Sequence, residues 1–167
     1  FPICLSSQDV KTNIETIKNI APIFGGINLE DFKAPECFEI ESALQNLGIP
    51  VMHDDQHGTA VVVLAALINS LKVSGKSKEK VKIIINGAGA AGIAICRLLL
   101  RYGFKHITLS DTKGAVYEGR PDLEGMKKEM AKITNLQKIK GDLTISMKDT
   151  DIFIGVSKAN LLNESHI

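Results

Sequence analysis

Two pairs of adjacent carboxylates, Glu30-Asp31 and Asp54-Asp55, precede the glycine pattern Gly87-Ala88-Gly89-Ala90-Ala91-Gly92. The second pair lies in a run rich in groups that do chemistry, His53-Asp54-Asp55-Gln56-His57-Gly58-Thr59-Ala60, just ahead of a long apolar segment. Carboxylate oxygens are hard donors that suit octahedral Mg2+ or Mn2+, whereas a zinc site would want His or Cys ligands. The glycines suit phosphates. In a G-x-G-x-x-G turn the first allows a tight strand-to-helix turn, the second lets backbone approach a pyrophosphate, and the third lets the helix pack close to the sheet. The helix that follows would add free amides and a partial positive charge. A divalent ion and a dinucleotide are the chemistry these residues suggest.

Each candidate sets a condition on the fold. Glu30 and Asp31 would face opposite ways on a regular strand, so they must leave a strand end to turn toward one centre, where Asp55 can supply a third carboxylate. His53 and His57, four apart, imitate a helical zinc pair, but Gly58 reads as a turn and the His-Glu-x-x-His order is missing, so they are expected to hydrogen-bond locally. Asp111 closes an apparent strand about 20 residues past the last glycine, where an acid can bind an adenosine ribose. Such an acid would repel a 2′-phosphate and favour NAD, yet Lys113 can pair with that phosphate, so NADP stays open.

The elements that would position these groups alternate. Residues 1–5 read as a short strand, and Val10, Ile14, Ile17 and Ile20 mark an amphipathic helix closed by Ala21-Pro22. Residues 24–29 read as a buried strand presenting Asn28, Glu30 and Asp31, followed by a helix opened by Pro35 and capped by Gly48. An extended piece over 49–52 delivers the acidic run, and residues 59–73 make a helix apolar on most sides, expected to be buried. A lysine-rich linker, 74–80, leads to a β-branched strand over 81–86, the glycine turn, and a helix to Gly103. A strand over 106–110, a loop over 113–121, a helix over 123–133, a short helix from Leu143 and a strand over 151–156 complete a βαβαβ order. That order is one mononucleotide-binding half of a doubly wound parallel sheet.

Composition narrows the partners. Lys and Arg number 20 against 19 Asp and Glu, which gives no bias toward nucleic acid or an anionic membrane. The longest apolar run, Ala60 to Ile68, falls short of the ~18 residues of a membrane span. Cys4, Cys37 and Cys96 are scattered and odd in number, as reduced thiols in a cytoplasmic protein would be. The first residues lack the basic start and cleavage site of a signal peptide, and both ends read as the interior of a longer protein.

Three segments together carry a resemblance: residues 24–31, Phe24-Gly25-Gly26-Ile27-Asn28-Leu29-Glu30-Asp31; residues 49–60, with Ile49-Pro50-Val51-Met52 ahead of the acidic run; and Asn86 through Gly92. They look like the malic enzymes of bacterial type, as do Lys113 to Arg120 and Phe153-Ile154-Gly155-Val156-Ser157. The resemblance implies an incomplete Rossmann-like domain over 57–167, preceded by the end of an α/β substrate and metal-binding domain over 1–56. It implies oxidative decarboxylation of malate to pyruvate and CO2 with NAD or NADP reduced. Glu30, Asp31 and Asp55 become ligands of Mg2+ or Mn2+, and Asp54 a partner of the catalytic lysine. Thr59, the glycine turn, Asp111 and Ser157 become cofactor contacts. The family's lysine, tyrosine and substrate-binding arginine match no position here, so the isolated chain is expected to be inactive, and Lys33 gains no role. A homodimer or tetramer is expected from the same likeness. An amino-acid-dehydrogenase-like enzyme and a non-catalytic nucleotide-binding module are the alternative readings.

Overall fold

The computed structural model describes residues 1–166 and contains two sheets, one parallel and one parallel but for a short antiparallel edge strand, each with its own core. Helix α1 (Val10–Ile20) is capped by Asp9, whose carboxylate accepts the Thr12 N–H at 2.7 Å. A single 3-10 turn, Ala21–Ile23, leads to strand β1 (Ile27–Leu29); helix α2 (Glu36–Leu44) and strand β2 (Val51–His53) follow. β1 and β2 pair in parallel with Leu29 opposite His53. Ile17, Leu29, Ile40, Leu44 and Val51 form the core beneath them.

Helix α3 (Asp54–Ser74) begins where β2 ends, and it runs into the second unit. There strand β3 (Lys82–Asn86), helix α4 (Ala90–Tyr102), strand β4 (His106–Asp111), short strand β5 (Gly114–Ala115), helices α5 (Gly125–Ile133) and α6 (Leu143–Met147), and strand β6 (Ile152–Gly155) build a sheet in the order β5-β4-β3-β6. β3 is parallel to both β4 and β6, and β5 pairs antiparallel on the edge. β3 is central, so Ile83, Ile84 and Ile85 are all buried, the near-continuous apolar run of a strand covered on both faces.

The α/β class with a Rossmann-like parallel sheet is as the sequence predicts, and several local expectations are corrected. Residues 1–5 form no strand: Phe1 and Ile3 are exposed and only Leu5 reaches the core. Helix α2 ends at Leu44, so Gly48 lies in the bend beyond it rather than at its cap. Helix α3 starts five residues earlier than the apolar pattern suggests, and Gly58 is a helical residue, not a turn. Nor is α3 buried all round. Ala60 and Leu67 pack into the second core, but Val61, Val62 and Val73 are 60%, 63% and 91% exposed, because only one flank meets α4 and the sheet. The helix is also long and apolar enough to cross a membrane by length and composition alone, which the count of consecutive apolar residues missed.

The loop after β4 is held by an ion-pair network. Arg120, 6% exposed, grips Asp111 with both terminal nitrogens (Nη1 to Oδ1 3.0 Å, Nη2 to Oδ2 2.6 Å) and donates to the carbonyls of Gly114 and Ala115. Lys127 adds a bond to Asp111 Oδ2 at 3.0 Å. Burial alone would raise the Asp111 carboxyl, but bonds from Arg120 and Lys127 outweigh it and hold it at about 2, below the ordinary 3.8. A depressed carboxyl stabilises the fold above its unfolded pKa, and that contribution is lost as pH falls through the folded value. Arg120→Ala is therefore expected to cost about 3 kcal/mol at neutral pH, since it removes both guanidinium bonds from a largely buried carboxylate and leaves it only Lys127 and the Lys113 N–H. The deficit should shrink between the ordinary carboxyl pKa of 3.8 and about 2, as Asp111 protonates. Urea midpoints across that window, beside Asp111→Asn, measure both effects.

Candidate functional site

The register of β1 against β2 decides where the acids lie. Glu30 and Asp31 follow Leu29, Asp54 and Asp55 follow His53, and Leu29 and His53 are paired, so both carboxylate pairs leave the same edge of a parallel sheet. Neighbouring strands run about 4.8 Å apart, which makes that edge a shared one. Asp31 takes a left-handed backbone, φ 60°, a conformation that Asp tolerates better than most side chains. Glu30, Asp31 and Asp55 are exposed, whereas Asp54 is half-buried and its Oδ1 is buried without a hydrogen-bond partner. Among the described residues, no three His, Cys, Asp or Glu side chains are gathered closely enough to hold a metal ion. The edge collects the acids without closing them on one point.

The histidines of the run reach further than expected. Fully buried His53 donates from Nε2 to the Phe32 carbonyl at 2.9 Å, which ties β2 to the loop that follows Asp31. His57 donates from Nε2 to Glu41 Oε1 at 2.7 Å. Neither bond is local, since the partners come from the β1–α2 loop and from α2. Glu41 also accepts the His53 backbone N–H on Oε1 and the Gln56 side-chain amide on Oε2, each at 3.2 Å. Nothing in the sequence spacing singled Glu41 out. It is one of three acids in α2, and only the packing of α2 beneath β2 separates it from Glu36 and Glu39.

The glycine turn lies where strand order reverses. β4 pairs on one side of β3 and β6 on the other, so the switch point falls between β3 and β6, at the carboxyl ends where open α/β sheets bind ligands. Asn86 and the loop after β6 meet there, with Asn86 Nδ2 donating to Ser157 Oγ at 3.0 Å. The three glycines have separable roles. Gly87 has φ 126°, and a Cβ on it would stand 2.8 Å from the Val156 carbonyl oxygen; one on Gly92 would stand 1.7 Å from the Gly87 carbonyl oxygen. Gly89 has an ordinary φ of −96°, and a Cβ there would meet nothing within 4 Å. Ala88 is buried, Ala90 and Ala91 open α4, and Thr59 is half-buried on α3.

Asp111 ends β4, but its carboxylate is taken up by Arg120, Lys127 and the Lys113 backbone N–H, the last at 3.0 Å. Lys113 Nζ pairs instead with Asp122 at 3.0 Å, and Arg120 also donates to Asp122. Three cations face two carboxylates here, so the acid no longer sets the sign of the local field, and the case for NAD drawn from the sequence loses its physical basis. Arg120 and Lys127 escaped sequence reading because both lie downstream of Asp111 on a loop and helix whose fold-back no spacing reveals. Cys4, Cys37 and Cys96 are free, and burial pushes the Cys96 thiol up to about 12.

Comparison with known proteins adds identity to this geometry. The malic enzyme NAD-binding domain matches residues 56–167, and the malic enzyme N-terminal domain matches residues 6–45. A bifunctional malic/malolactic enzyme of Bacillus subtilis is 52% identical over all of this chain, and an NAD-dependent malic enzyme of Geobacillus stearothermophilus is 48% identical over 97% of it. The crystal structure of an NAD-dependent malic enzyme from Thermotoga maritima superposes with a TM-score of 0.95 over 98% of the chain, at 47% identity. The chain spans 41%, 34% and 44% of the lengths of these three proteins. With a family domain matched across most of its length and the same fold in a solved relative, the chain belongs to the malic enzyme family.

Proposed function

We propose that this chain supplies the metal-binding edge and the nucleotide-binding turn of a longer enzyme that oxidatively decarboxylates malate to pyruvate and CO2, reducing NAD or NADP. The observation that carries the reading is α3: its first turn bears Asp54 and Asp55, and the same helix packs along α4, which the glycine turn opens. One rigid element thus spans both candidate sites.

Glu30, Asp31 and Asp55 would hold Mg2+ or Mn2+. The fit rests on their being hard oxygen donors leaving one sheet edge, beside the unpartnered Oδ1 of Asp54. That buried oxygen suits Asp54 to the cationic partner that the family likeness gives it. When bound, the nicotinamide would supply a hydride acceptor for C2 of the hydroxy acid and the divalent ion a Lewis acid toward substrate oxygen. The chain's own residues would bind and orient: the amides opening α4 would hold the phosphates, the open space at Gly89 would admit them, and the Asn86–Ser157 bond holds the two sides of the crevice in register. Thr59 lies on the helix that joins the two sites. Both nicotinamide cofactors remain compatible with the charges around Asp111. A homo-oligomer, dimer or tetramer, and a cytoplasmic setting belong to the same reading, and the exposed apolar flank of α3 is surface that further chain or a second copy would bury.

Two experiments test it. In the full-length enzyme, malate should reduce NAD or NADP only with Mn2+ present, and Asp55→Ala should lower the rate by at least about 100-fold, the upper end of what groups that merely orient ligands contribute. Turnover indifferent to chelator and to Asp55→Ala would point to a metal-free dehydrogenase, and no turnover of any hydroxy acid to a binding module. For the turn, Gly89→Val should weaken NADH binding by more than about tenfold, roughly 1.4 kcal/mol, while lowering the melting temperature only by the loss of a favourable N-cap residue. Gly92→Ala should lower the melting temperature itself, because its methyl would collide with backbone.

A further inference from the structure

The β2–α3 junction leaves its first helical amides without a local cap: His53 occupies the N-cap position and its side chain makes no capping bond. The first four N–H groups of a helix need partners from somewhere. Glu41, its side chain 12% exposed on α2, comes from outside the helix and takes three donors at this junction: the backbone N–H of the N-cap residue His53 and the side-chain nitrogens Gln56 Nε2 and His57 Nε2. The two residues that these contacts bracket are Asp54 and Asp55. His53 carries the constraint to the other acid pair, because its backbone N–H is held by Glu41 while its ring holds the Phe32 carbonyl, one residue past Asp31. Gln45 adds a second tie from α2 to the Val51 carbonyl, at 3.2 Å.

We propose that Glu41 is a positioning residue for the divalent ion: its carboxylate clamps the β2–α3 junction and, through His53, fixes both acid pairs relative to one another. The inference rests on the metal-binding reading above and names a residue that lies outside the acids assigned to the ion. A group that only orients ligands typically contributes 10- to 100-fold in metal affinity. Its loss should therefore be read in ion binding before it is read in folding.

The test is direct Mn2+ binding to the full-length enzyme, followed by the loss of the free-ion electron paramagnetic resonance signal, beside NADH affinity and thermal melting. Glu41→Gln preserves size but places an amide N–H2 where one of its two oxygens accepts bonds. It should weaken Mn2+ binding about tenfold with NADH affinity unchanged, and Glu41→Asp should recover part of the loss. Asp55→Ala is the reference and should abolish tight binding. If Asp55→Ala binds Mn2+ like the wild type, the metal-binding reading itself is wrong. If Asp55→Ala loses the ion while Glu41→Gln keeps it, the clamp is wrong and the reading stands. Equal losses of Mn2+ and NADH affinity in Glu41→Gln would make Glu41 a general structural residue and also overturn the clamp.

Discussion

The acid-bearing edge depends on a junction with no linker, where His53 is the last residue of β2 and the next residue is already helical. With no loop to absorb changes of direction, the pairing of β2 with β1 sets both where α3 starts and how it points. The acids at its first turn are therefore located by strand register, which is far stiffer than a loop. A negatively charged first turn also suits the positive end of the helix, so Asp54 and Asp55 cost the fold little. The junction is held from α2, where Glu41 accepts the backbone N–H of the N-cap residue His53 and the side chains of Gln56 and His57.

The same helix then joins two kinds of geometry. At its start the constraint is register and hydrogen bonding; along its length it is packing against α4, through Ala60 and Leu67 in the second core. At the turn between β3 and α4 the constraint is steric: Gly87 and Gly92 are required by backbone already present, whereas a Cβ on Gly89, the N-cap of α4, would meet none of the described atoms within 4 Å. On the proposed dinucleotide reading, that open space beside Gly89 is where the pyrophosphate would enter.

Much of this was legible in the sequence because it rests on local periodicity. The strand over 81–86, the helix that follows, and the strands ending near Asp111 and Gly155 are set by β-branched runs and glycine punctuation. The acidic run was legible as chemistry but misread as a loop, since Gly58 suggests a turn and helix α3's apolar pattern begins only at Thr59. Tertiary packing overrode that cue, as helices tolerate a glycine at a cost of about 1 kcal/mol. Strand order was not legible: βαβαβ is compatible with the third strand beside the second, yet β6 pairs with β3. Glu41 and Arg120 were invisible for one shared reason. Each is an ordinary surface-type residue in sequence and becomes a hub only when a later or earlier element folds back on it.

Asp111 shows how far such a hub constrains function. An ionised carboxylate offers about four acceptor positions, and here Oδ1 receives Arg120 Nη1 and the Lys113 amide while Oδ2 receives Arg120 Nη2 and Lys127 Nζ. A ribose hydroxyl can bind this acid only by displacing one of the four. The Arg120 bonds are bidentate and partly buried, and the Lys113 donor is main chain fixed by the turn. Lys127 is the donor with a 40% exposed side chain, free to swing into water at small cost. The acid thus holds its own loop through Arg120, and on the proposed dinucleotide reading a ribose would reach it at the position Lys127 covers.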